Sequence, residues 1–249
     1  MAEEYTKGGQ PIIRGKVDED RGWTPPEVNG EIRAVVERHL AQFLPARSTV
    51  WHEIISDLVH IDVYCFVPTP ERPFYTLVTS GMSDLPMNVP EGLEDMARAE
   101  LLICLPPDWK IGQLGDTLAQ DDLEDFSNYW PIHMLKYLAR MPHEYHTWLG
   151  WGHSIPNGQS PEPFANTSFV GTVIGPVVTL PDEFVSVQVD DQTVWFYGLY
   201  PVYAEEMQFK IDTPEGADAL FEKFESAGVT ELIDLQRPNV MTSRFSSQA

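Results

Sequence analysis

His143-Glu144-Tyr145-His146 sets two imidazoles three residues apart, a spacing that can place both on one helix face, and His153 follows closely enough to complete a three-nitrogen set. Such a set could hold a zinc-class ion, with Glu144 or Asp62 supporting metal-assisted hydrolysis. The zincin pattern is His-Glu-x-x-His, however, and here the second histidine comes one position early. Histidines in an aromatic loop more often serve as structural hydrogen-bonding groups. A metal-dependent hydrolase on His143, His146 and His153 is therefore the alternative reading. His60 and Asp62 share a strand face, either half of a metal or acid–base site or, more simply, a polar row beside Tyr64. Thr79-Ser80-Gly81-Met82-Ser83-Asp84 lacks the second glycine of a nucleophile elbow and reads as a turn whose Ser and Asp accept backbone N–H groups. Gly150-Trp151-Gly152 runs into His153 and Pro156, not into a helix, which excludes a phosphate-cradling loop.

The elements that must position these residues follow from periodicity. Thr24-Pro25-Pro26-Glu27 predicts a helix start with a capping box, followed by Ile32, Val35, Val36, Leu40 and Phe43 at helical spacing up to Pro45. The period then changes to two. Strands are expected over 49–55, 58–67, 74–79 and 99–105, the second with Val59, Ile61, Val63, Cys65 and Val67 on its buried side. The last is preceded by a loop, 85–98, that carries Glu91, Glu94 and Asp95. A helix is expected from Ser127 or Asn128 to about Arg140, then a structured loop over 142–158 with Trp148 and Trp151. Strands return at 168–174, 184–189 and 193–199 with Asp190-Asp191 as a hairpin turn. A closing helix is expected from Pro214 to Ala227, capped by Thr213 and stopped by Gly228.

Two groups of strands separated and flanked by helices give an α+β fold class: a largely antiparallel or mixed β-sheet packed against helices. The expected organisation is a flexible arm over 1–22, a single domain over 23–238 and a flexible tail over 239–249. At 249 residues the chain can bury a core without staples. Its 16 Lys and Arg against 38 Asp and Glu give a formal charge of −22, which argues against nucleic acid or an anionic membrane as ligand. The carboxylates of 116–125 read as a solvated linker, or else as a decoy that captures a basic protein. Cys65 and Cys104, each within an apolar run, read as buried hydrophobes in a reducing, cytoplasmic setting, able to pair only if their strands are neighbours. No stretch is apolar enough over its length to be a transmembrane span.

Several strings together resemble the Suppressor of fused family. They are Trp51-His52-Glu53 with Val59-His60-Ile61-Asp62-Val63, Phe74 through Pro86, and Arg98 through Pro106. The likeness continues from Trp130-Pro131 to Arg140, through Trp148-Leu149-Gly150-Trp151-Gly152-His153, and from Phe196-Tyr197 to Glu205-Glu206-Met207. The resemblance implies a non-catalytic protein-binding module that needs no cofactor. The animal member of the family holds a transcription-factor peptide as an added strand between two related domains, repressing that factor in Hedgehog signalling. This chain looks like the first of those domains alone, the short form typical of bacteria. For that form an immunity role against secreted toxins has been suggested from gene context. The family's tyrosine after Ser-Asp-Leu is Pro86 here, so strand addition carries over as a mode of binding more than as a ligand. The expected partner is a basic protein. The expected surface is Ser83, Asp84, Glu91, Glu94 and Asp95, with Trp148 and Trp151 as aromatic anchors. A blander alternative is an oligomeric scaffold packed through the loop from Trp148 to Trp151.

Overall fold

A computed structural model of the chain describes residues 4–16, 21–45, 47–53, 56–113 and 126–242. Among the described residues eight strands form one mixed sheet: β1 (Arg47–Trp51), β2 (Asp62–Phe66), β3 (Tyr75–Ser80), β4 (Arg98–Leu105), β5 (Ser154–Pro156), β6 (Gly171–Gly175), β7 (Ser186–Val189) and β8 (Gln192–Val202). Their order is β1-β2-β3-β4-β8-β6-β5, with β7 pairing beside the first half of β8. β1 to β4 form an antiparallel meander. β4 then meets β8 in parallel, Arg98 opposite Val194 through Leu102 opposite Gly198.

Helix α1 (Gly30–Phe43) and α2 (Phe126–Glu144) lie on opposite faces of this sheet, and α3 (Ala204–Asp212) and α4 (Gly216–Ala227) follow β8. Along β8 the alternation is explicit: Tyr197 and Leu199 join the core cluster under α2, while Val194 and Phe196 join that under α1. Tyr200 and Val202 join the cluster under α3 and α4. With both faces covered, β2 is buried throughout, so Tyr64 and Phe66 are as enclosed as Val63 and Cys65, and Val67 is exposed beyond the strand end. Cys65 and Cys104 are buried thiols in clusters on opposite faces, with β3 between their strands.

The first helix starts later than its sequence suggests. Asn29 caps it by accepting the Ile32 N–H, whereas the Thr24 N–H is taken by the Asp57 carboxylate and the Thr24 carbonyl by the Leu58 N–H. Glu27 then pairs with Val59, so 24–27 is held extended against the sheet. Helix α2 runs on past Arg140 to Glu144, through Pro142. Asp190 adopts a positive φ in the tight β7–β8 turn, and Gly228 stops α4 in the left-handed conformation, both where the sequence pattern places a turn or a stop. Residues 4–16 form a small turn, Tyr5 bridging Pro11, whose Gly8 N–H donates to the Ile211 carbonyl at the end of α3. Among the described residues no helix is long and apolar enough to cross a membrane.

Candidate functional site

The turn after β3 is built around a carboxylate. Glu100, on β4 and fully buried, accepts the Thr79 hydroxyl at 2.6 Å, the Gly81 N–H at 3.0 Å, and the Ser83 N–H and hydroxyl at 3.0 and 2.5 Å. The Thr79 hydroxyl in turn accepts the Leu101 N–H at 2.8 Å, so side chains replace the ladder where β3 and β4 splay apart. Gly81, at φ 120°, must be glycine: a Cβ there would stand 2.1 Å from the His60 carbonyl oxygen. Arg33 reaches in from α1, its Nε donating to Asp84 Oδ2 at 2.7 Å and its terminal nitrogens meeting the His60 carbonyl at 2.5 Å and Asp62 Oδ2 at 3.5 Å. Burial pushes the Asp84 carboxyl up to about 6, against the pull of Arg33. Ser83 and Asp84 are thus buried, and Arg98 binds both of their carbonyls.

The acidic loop between this turn and β4 is on the surface. Its ends are tied by the Met87 N–H donating to the Ala97 carbonyl at 2.7 Å. Glu91, Glu94 and Asp95 are exposed, Asp95 also accepting the Thr193 hydroxyl at 2.5 Å. An open groove of about 400 Å³ runs here, lined by Met87, Val89, Glu94, Arg98, Gln192 and Thr193 among others. Asn88 bonds the carbonyls of His146 and Thr147 through its side chain and main chain, both at 3.0 Å. The acidic loop and the aromatic loop are therefore contiguous. In the latter, Trp148 is half-buried, edge-on to His153 with ring centroids 4.3 Å apart, and Gly150 is needed because a Cβ would meet the Trp148 ring at 2.6 Å. Trp151 is 41% exposed and leans on Phe221 of α4.

The three histidines of that region do not converge, which corrects the hydrolase alternative. His143 Nε2 lies 3.0 Å from the Met82 carbonyl, and burial pushes the ring down to about 4, so it is neutral and donates. His153 Nδ1 accepts the Gly150 N–H, and that ring is likewise pushed down to about 4 by burial. His146 is exposed, at a positive φ. Among the described residues, the imidazoles and carboxylates that gather closely enough for one ion are His52, His60 and Asp62. His60 and Asp62 are visible as a pair in the sequence, but His52 is not. It joins them because Trp51 of β1 pairs with Val63 of β2, which brings the next residue, His52, opposite Asp62. The carboxylates expected over 116–125 lie outside the described residues.

The model of the family described as Suppressor of fused protein (SUFU) matches residues 57–238. Among solved structures, the chain is similar to a SUFU homolog from Neisseria gonorrhoeae FA 1090, with a TM-score of 0.61 and 18% identity over 87% of this chain and 100% of that one. It is similar to the Sufu–Fu complex structure, with a TM-score of 0.54 and 14% identity over 88% of this chain and 94% of that one. It also resembles Drosophila Suppressor of Fused, with a TM-score of 0.54 and 14% identity, 88% of this chain covering 52% of that one. At these identities the structural likeness is one of fold. No curated protein matches the chain.

Proposed function

The chain belongs to the Suppressor of fused family, and from that premise we propose that it is a non-catalytic cytoplasmic module that binds and sequesters or neutralises a basic protein. One observation carries the reading: Glu91, Glu94 and Asp95 stand exposed on one loop, Glu94 lining an open groove, and this loop is hydrogen-bonded to the aromatic loop that carries exposed Trp151. A surface that joins carboxylates to an aromatic side chain suits a cationic polypeptide, with charge setting the rate of encounter and the ring supplying contact area. The solved Sufu–Fu complex supports a protein as ligand for this fold. A net charge of −22 favours a partner of opposite sign. Ser83 and Asp84, buried under Arg98, support this surface from beneath. The immunity role implied by the bacterial form of the family is the physiological outcome we favour for such capture.

Affinity capture from the native host at low salt tests the proposal, with the wild-type chain beside a Glu91→Lys/Glu94→Lys double variant. Recovery of a basic protein by wild type, lost in the variant and reduced by added salt, is the expected result. Recovery of no protein, or of one retained equally by the variant, overturns it.

A further inference from the structure

At the β1–β2 end of the sheet, His52 Nδ1 lies 2.9 Å and His60 Nε2 3.1 Å from the same oxygen, Asp62 Oδ1. The hydrogen bonds behind His60 decide which of its nitrogens carries a proton. The Glu53 carboxylate is paired with Arg140 and acts as acceptor here, accepting the Ser56 hydroxyl at 3.0 Å and the Ile61 N–H at 3.1 Å. Ser56 has no second proton to give, so its oxygen, 2.7 Å from His60 Nδ1, accepts from that nitrogen. In the neutral ring the Nε2 lone pair therefore points at the Asp62 carboxylate. Two acceptors facing at 3.1 Å need a cation between them, either a second proton on the ring or a metal ion.

We propose that His52 Nδ1, His60 Nε2 and Asp62 Oδ1 bind one divalent transition-metal ion, zinc by preference, with water completing the shell. Three considerations favour a metal. The ligand set of two imidazoles and one carboxylate suits zinc and its neighbours and does not suit magnesium or calcium, which take oxygen. The ligand atoms lie within 4.8 Å of one another. A tetrahedral ion with bonds of about 2.0–2.1 Å holds its ligands about 3.3 Å apart, a few tenths of an ångström from the two nitrogen–oxygen separations of 2.9 and 3.1 Å. The chain Glu53–Ser56–His60 is the supporting arrangement that fixes the tautomer and orientation of a metal-bound histidine. Of the nearby cations, Arg33 pairs with Asp84 at 2.7 Å and meets Asp62 at 3.5 Å only through Oδ2, not through the Oδ1 that faces the imidazoles, Arg140 pairs with Glu53, and Lys136 lies 3.4 Å from the His52 carbonyl. Asp62 is buried and His52 is exposed, so an ion would be gripped from inside the fold and open to solvent on its outer side.

The test is equilibrium dialysis of the chelator-treated full chain against zinc, with elemental analysis, followed by the absorption spectrum of the cobalt-loaded protein. The expected result is one ion per chain, cobalt bands of a four-coordinate nitrogen–oxygen site, and no displacement by magnesium or calcium. His52→Ala alters an exposed side chain, and its fold is checked by the metal-free melting curve. This variant and His60→Gln should bind at least about tenfold more weakly, since even the supporting partners of a metal ligand are worth that much. Ser56→Ala should fall in the same direction and His146→Ala should be unchanged. Failure of the wild-type chain to take up a stoichiometric ion, or equal affinity in His52→Ala and wild type, overturns the site. Neither outcome bears on protein capture through the Glu91–Asp95 loop.

Discussion

A buried carboxylate is tolerated at position 100 because four donors converge on it, two from backbone amides and two from hydroxyls. Removing the acceptor strands all four in an enclosed site. At about 1–3 kcal/mol for each buried unsatisfied group, Glu100→Ala is expected to cost more than about 3 kcal/mol in urea denaturation, and Glu100→Gln less. A loss below about 1 kcal/mol would mean that the turn does not depend on this residue. Asp84, beneath the same turn, is the opposite case, a carboxylate whose charge burial opposes. Its folded pKa is raised from 3.8 to about 6, so the native state holds this proton more tightly than the unfolded chain. The stability it contributes is fully present below the unfolded value and is lost as pH rises through about 6. The cost of Asp84→Asn should therefore be larger at pH 4.5 than at pH 7.5, by at most about 3 kcal/mol. His143 and His153, lowered by burial to about 4, act the other way, their contribution being lost as pH falls from 6.5 toward that value. Both chains share that term, so it cancels in the comparison. Chemical denaturation of the two chains at the two pH values, with chelator present, reads the difference, and a cost independent of pH would show that Asp84 stays ionised throughout.

At the scale of elements, α3 and the segment after Glu231 are held by one buried pair. Arg237 donates two bonds to Glu206, at 2.6 and 2.7 Å, and a further one to the Pro201 carbonyl, with its guanidinium over the rings of Phe169, Tyr203 and Phe224. Glu206 also accepts the N–H groups of Tyr203 and Val240. Breaking such a pair leaves a buried charge uncompensated, so Arg237→Ala should cost about 3–5 kcal/mol. Arg237→Lys should not restore it, because an ammonium cannot make the paired bonds or stack as the guanidinium does. Thermal midpoints of the three chains check this, and recovery by lysine would reduce the role to charge alone. Glu206 was visible in the sequence as one of two adjacent glutamates, but α3 itself was not, since nine residues after a long strand leave too short a window for a helical period. The meander from β1 to β4 and the turn at Asp190 were legible because alternation and turn chemistry are local. The late start of α1 was not, because Asp57 and Leu58, distant in sequence, claim the backbone of Thr24. For the same reason His52 could not be joined to His60 and Asp62 without the β1–β2 register. Glu91, Glu94 and Asp95 were legible as an acidic loop, and their exposure follows from the absence of apolar neighbours at strand or helix spacing.

For the whole molecule, two groups of strands between helices announced an α+β architecture, but the parallel contact of β4 with β8 joins segments nearly a hundred residues apart and leaves no mark in either. What the composition does carry to this scale is charge. With a formal −22, the folded chain repels itself more than the expanded one, because folding brings the carboxylates closer together. Screening acts on that repulsion and on the attraction for a cationic partner alike, since the Debye length shrinks from about 30 Å at 0.01 M to about 8 Å at 0.15 M salt. The two effects have opposite sign for the protein. Added sodium or potassium chloride over this range should raise the thermal midpoint of the free chain, while the captured basic partner should bind more weakly and associate more slowly. Melting curves and association rates measured on one preparation at matched salt read both arms. A complex that tightens with salt would point to apolar contact as its source, and would move the proposed surface from Glu91 and Glu94 toward Trp151 and its aromatic neighbours.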